Sequence, residues 1–175
     1  MSSATSFRPV GSIAALVPLG RSMIWGNRLW AVWKQTILKI YPEARFADPA
    51  TVTALDSAER QLGRPLPEVL RELLQKTDGI QGHSCVDTVW SLEQIVQQNL
   101  YLRTAPDFAE LYMPFDPLLF FGDNGGGDQF AFVVTPRRPD IFVWDHESDS
   151  RRWVANDLSD YLRRSLGTSG DDWYR

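Results

Sequence analysis

Apolar residues recur at helical spacing through the first hundred positions and at strand spacing after about Leu118. In "NRLWAVWKQTILKIYP", Leu29, Trp33, Ile37 and Ile40 share one face, Trp30 widens it, and Pro42 stops the helix. "ADPATVTALDSAERQLG" predicts a second helix, with Asp48 as N-cap, Pro49 in the first turn, Leu55, Ala58 and Leu62 inward, and Gly63 as C-cap. "LPEVLRELLQKTDG" repeats that grammar: Pro67 opens, Leu66, Leu70, Leu73 and Leu74 are buried, and Asp78-Gly79 closes. "CVDTVW" reads as a short strand, and Ser91 with Gln94 forms a capping-box pair that starts a helix over "SLEQIVQQNLYL". Three prolines make "RTAPDFAELYMPFDP" irregular.

Beyond it, "LLFF", "QFAFVV", "IFVW" and "RRWVA" are short apolar or alternating runs separated by turn-formers, which predicts an antiparallel meander. In "QFAFVV", Phe130, Phe132 and Val134 point one way and Gln129, Ala131 and Val133 the other. "NDLSDYLRRSLG" closes the pattern as a capped helix with Leu158, Tyr161, Leu162 and Leu166 inward and Gly167 at its end. The expected class is α+β: a single domain over residues 23–175, with a largely antiparallel sheet packed by several helices. Residues 1–22 read as a flexible tail, or as an early start with Met23 the true first residue.

"FFGDNGGGDQFAF" poses the chemical question, because such a loop can cradle a phosphate, hold a metal or simply turn the chain. A P-loop needs Lys-Ser/Thr after its last glycine and then a helix, whereas Asp128 and Gln129 follow here and a strand comes next. The dinucleotide fingerprint fails because Phe130 stands where the third glycine belongs. A calcium loop fails because Val134 occupies the position of its closing acid. What is left is a turn between the first two meander strands, in which glycines supply positive φ and Asp123 and Asn124 bond nearby amides. Such a turn also leaves room for a partner to approach the backbone.

Catalytic constellations are sparse. "DHESD", Asp145 to Asp149, is the one acidic cluster containing a histidine, and a shared ligand site there needs help from Asp128 or Asp140 across the sheet. A nuclease-like reading of Asp140 with Glu147 lacks a lysine, since none follows Lys76. His83 and Cys85 in "GHSC" are a conceivable nucleophilic pair, but such partners usually meet through the fold and not through adjacency. G-x-S-x-G, H-E-x-x-H and C-x-x-C are absent. The residues therefore read as a binding protein, with no catalytic residues, metal or cofactor expected. Of the tryptophans near the strands (Trp90, Trp144, Trp153, Trp173), most should be core, while Trp144 beside "DHE" is expected at a rim as an interface anchor.

Composition sharpens the partner. The 175 residues carry a net charge of −4, and Asp107 to Asp149 holds nine acidic residues against two basic ones, Arg137 and Arg138. That sector disfavours nucleic acid and suits a basic protein. A single cysteine fits a reducing cytoplasm, and no apolar run is long enough for a membrane span. The first twenty residues are superficially similar to a signal peptide, but carry only Arg8, and Pro9 and Pro18 bracket a weak apolar stretch.

Five features in one order resemble the SUKH superfamily, which includes fungal cell-wall synthesis regulators and bacterial immunity proteins of polymorphic toxin systems. They are Glu59 before Leu62-Gly63, then Leu66-Pro67, Asp78-Gly79 where the family commonly has Asn-Gly, the Gly122–Asp128 turn, and Trp144-Asp145-His146-Glu147. The similarity runs from Pro49 to Leu166, and the helix with Trp30 and Trp33 resembles an extension seen in bacterial members. It implies an α+β domain without catalytic residues that binds and neutralises a toxin, often a nuclease. A regulatory scaffold role like that of the fungal relatives is the alternative. Asp123, Asn124, Asp128, Asp145 and Glu147, with Trp144 as apolar anchor, are the expected partner-binding residues.

Overall fold

The computed structural model describes residues 20–168 and 173–175. Residues 1–19 of the expected tail lie outside the described residues, and its last three residues, Gly20 to Ser22, already belong to helix α1 (Gly20–Ile40). Next come β1 (Arg45–Phe46), α2 (Val52–Leu62), α3 (Glu68–Leu74), β2 (Ile80–Gln81), a 3-10 turn (His83–Cys85), β3 (Asp87–Val89), α4 (Leu92–Thr104) and α5 (Pro106–Leu111). The meander is β4 (Leu118–Asp123), β5 (Gln129–Val134), β6 (Arg137–Asp145) and β7 (Ser150–Ala155), followed by α6 (Leu158–Gly167). Two antiparallel sheets result, β1-β2-β3 and β4-β5-β6-β7, and the α+β expectation holds.

Local chemistry corrects several boundaries. α2 is capped by Thr51, whose side chain accepts from Ala54 N at 3.1 Å, and not by Asp48. Gly63 closes it at φ 68°, a left-handed value that glycine adopts without strain. Glu59 then accepts from Leu66 N at 3.0 Å and pairs with Arg71 at 3.3 Å, which fixes the α2–α3 corner. Asp78 does not end α3, which stops at Leu74. Instead its carboxylate takes Leu92 N at 2.6 Å and so helps cap α4 beside Ser91, which accepts from Gln94 N at 3.3 Å. The stretch expected to be irregular contains α5, because Pro106 is tolerated in a first helical turn, where its missing N–H costs nothing. β1 and β2 are two-residue strands, too short to leave a periodic trace.

The meander is buried on both faces. Adjacent strand residues point to opposite sides, yet Phe130, Ala131 and Phe132 are all buried, as are Val143 and Trp144. Tyr161 of α6 packs on Phe121 and Phe130, while Phe108 of α5 and Phe115 pack on Trp144. Helices on both sides explain why so much of "LLFFG" is apolar without alternation.

Two polar devices fasten this sandwich. Buried Asn99 of α4 donates to Phe120 O at 2.8 Å and to Ile95 O at 2.8 Å, and accepts from Phe120 N at 3.0 Å, so it pairs with the strand as a backbone unit would. The small sheet joins the large one where Trp90 N donates to Phe121 O at 2.8 Å. There Gly122 is required, since a Cβ would stand 2.2 Å from Thr88 O. No helix among the described residues is long and apolar enough to cross a membrane.

Asn99→Leu is expected to leave Phe120 N and O without partners in a dry site, at about 1–3 kcal/mol for each. Urea unfolding should show a lowered midpoint at unchanged m-value. An unchanged midpoint would show that Asn99 does not hold β4.

Candidate functional site

Strand register aligns Asp123, Gln129, Trp144 and Arg151 across the meander. The β4–β5 glycine loop and the β6–β7 turn therefore leave the sheet at the same end, which gathers all six residues expected to meet a partner. The glycine loop is a built turn. Asp123 accepts from Gly125 N at 2.7 Å and from the buried Trp90 Nε1 at 2.5 Å. Asn124 Oδ1 accepts from Gly126 N at 2.8 Å and Asp128 N at 3.0 Å, and the loop closes as Asn124 N donates to Asp128 O. Gly125 and Gly127 sit at φ 76° and 109°, and a Cβ on Gly127 would meet the His146 ring at 2.7 Å.

In the β6–β7 turn, Asp145 Oδ1 accepts from Glu147 N at 3.0 Å and Ser148 N at 3.1 Å. Asp149 accepts from Trp144 Nε1 and from Met113 N, each at 2.8 Å, and Tyr112 OH donates to His146 O at 3.4 Å. These bonds tie the segment after α5 to the turn.

Asp128 joins the two. Its carboxylate is 2% exposed. Oδ1 accepts from His146 Nδ1 at 2.9 Å and from His146 N at 3.3 Å, and Oδ2 accepts from Tyr174 OH at 2.9 Å and Arg175 Nη2 at 3.4 Å. Tyr174 OH in turn accepts from Asn124 Nδ2 at 2.6 Å. Burial pushes the Asp128 carboxyl up, but the bonds from His146, Tyr174 and Arg175 outweigh it, and the group is held below the ordinary carboxylate range.

The expected binding residues thus divide. Trp144 is buried at 2% exposure and is a core residue, not a rim anchor, because Tyr112, Phe115 and Phe120 enclose it. Asp128 is buried and faces inward. Asn124 is spent on the loop and on Tyr174. Asp123 and Asp145 are half-buried and cap backbone amides, and Glu147 is exposed. These last three form no ion pair among the described residues. Among the described residues, Trp153 on β7 is an exposed tryptophan, at 46%. His146, Tyr174 and Arg175 also belong to this end. Nothing in the sequence marks the pairing of Tyr174 with Asp128, since side chains 46 positions apart leave no periodic trace.

The other candidates sit apart. His83 Nε2 lies 2.9 Å from Leu166 O and its ring packs on Tyr41, and no hydrogen bond joins it to the exposed Cys85 among the described residues. Asp140 pairs with Arg138, towards the far end of β6. Among the described residues, no group of three or more His, Cys, Asp or Glu side chains is arranged to hold a metal ion.

The model of the SMI1 / KNR4 family (SUKH-1) matches residues 49–164, and the chain belongs to that family. Membership supports a protein-interaction or immunity-type role in general. No curated protein matches the chain in sequence.

Asp128→Asn should lower stability at neutral pH by about 1.5–3 kcal/mol, since it replaces charge-assisted bonds in a buried site. A depressed folded pKa stabilises fully above the unfolded pKa and loses that contribution as pH falls through the folded value. The gap between wild type and variant should therefore narrow in strong acid. Thermal unfolding across pH checks this, and a gap independent of pH contradicts it.

Proposed function

We propose that the chain is a non-catalytic immunity protein that binds and neutralises a basic toxin domain, a nuclease being the class best suited by charge. The observation that carries this reading is the negative charge of Asp123, Asp145 and Glu147 at one end of the sheet, which forms no ion pair among the described residues. Exposed Asp107 and Glu110 on α5, whose following residues are tied to the same turn, extend it. Nuclease surfaces are basic because they bind phosphate, and an opposite potential speeds encounter with such a partner. Family membership supports the interaction role, and the charge argues for the kind of partner.

A toxin gene beside the one for this chain is expected, and co-expression with its product should protect cells, with the purified pair forming a complex. The double variant Glu110→Lys, Glu147→Lys touches exposed side chains that hold no part of the turn, so folding should be kept. Its association rate is expected to fall about tenfold at low salt with little change in dissociation. Rates indifferent to these reversals would remove the electrostatic account. No protection, with housekeeping enzymes recovered in pull-downs, would favour a regulatory scaffold role.

A further inference from the structure

Beside the glycine loop lies a cleft of about 180 Å³ between the 3-10 turn, the end of α6 and residues 173–174. Its size excludes a nucleotide or other drug-sized ligand, which need about 300 Å³ or more. Its chemistry is one-sided. Among the described residues its titratable acid and base are Asp123 and His83, the latter with Nε2 engaged 2.9 Å from Leu166 O, and Phe130, Trp173, Tyr174, Ser84 and Ser165 also line it, with no lysine or arginine. Trp173 lies nearly parallel to Phe130, with ring centres 5.7 Å apart at 13°, and Tyr174 stands edge-on to both.

Aromatic faces carry negative quadrupole density and attract cations. Asp123 is held by neutral donors alone, Trp90 Nε1 and Gly125 N, so no cation within the described chain offsets its charge. An anionic ligand would be repelled, and a neutral apolar one would leave the carboxylate and hydroxyls without partners. Next to the cleft, Arg175 already lays its guanidinium on Asp128, so this end of the sheet accommodates a guanidinium beside a carboxylate.

We propose that the cleft receives one basic side chain projected by the partner protein, arginine in preference to lysine. A planar guanidinium stacks on aromatic rings and bonds a carboxylate at once, which an ammonium does less well. The identity of the partner rests on the function proposed above, whereas the cation preference rests on the cleft alone.

The test titrates the full chain with N-acetylarginine amide and, as an uncharged near-isostere, N-acetylcitrulline amide, following the Trp173 indole N–H and the Gly125 amide by NMR. Saturable shifts with the arginine compound, at least tenfold weaker with citrulline, are expected. They should be lost in Trp173→Ala, which removes one wall, and in Ser165→Phe, which fills the space, provided each melts near wild type. An equal response to both compounds, a response surviving in both variants, or no saturable shift up to the solubility limit overturns the proposal. If the toxin binds wild type and Ser165→Phe equally well, the cleft assignment falls and the immunity reading stands. Arginine binding without protection from the toxin upholds the cleft and removes the immunity reading.

Discussion

A carboxylate withdrawn from water is stable only where donors replace the water it has lost. At Asp128 those donors come from two distant parts of the chain, the β6–β7 turn through His146 and the last described residues through Tyr174 and Arg175, while Asn124 of its own glycine loop donates to Tyr174 OH. The two turns are short and polar, with little apolar area of their own, whereas the C-terminal segment also packs through Trp173 and Tyr174 on Phe130. The shared anion supplies what packing cannot. It also sets the shape of the site, because Gly127 lies against the His146 ring and Tyr174 bridges Asn124 to Asp128.

That arrangement divides the acidic residues into two kinds. Asp128, Asp149 and Asp160 are consumed by the fold, the first by the contacts just described, the second by Trp144, Met113 and Arg151, the third by Asn156, Arg163 and Arg164. Burial pushes the Asp160 carboxyl up, and those bonds bring it below its ordinary value. Asp123, Asp145 and Glu147 are left without a cation among the described residues, and all three sit on the two turns that Asp128 locks together. A rigid pair of turns that displays uncompensated charge suits electrostatic selection of a partner, since little ordering entropy opposes docking. The interaction role of the SMI1 / KNR4 family is consistent with such a surface.

Helices with a long apolar stripe were legible in the sequence because periodicity survives without tertiary context. The meander, its order and the place of the glycine loop were legible for the same reason. α5 was not, since a six-residue helix that opens on a proline looks like a loop when judged by its breakers. The cap of α2 was misplaced because Asp48 and Thr51 both offer a side-chain oxygen, and only the path of the chain decides which oxygen faces the amides. Trp144 was misjudged from its acidic neighbours. In a sheet covered on both faces, an indole can be enclosed even where the next residue reaches a turn. The strand order brings the β4–β5 and β6–β7 turns to one end of the sheet, but which carboxylates turn inward depends on hydrogen bonds with residues distant in sequence.

Hydrogen exchange of the chain, free and in complex with a basic toxin domain of the kind proposed above, measures most directly whether this end of the sheet is the recognition surface. Slowed exchange confined to the amides of residues 123–128 and 145–149 and of α5 is the predicted footprint. Protection at the opposite end, around residues 135–138, with these turns unchanged, would contradict the account.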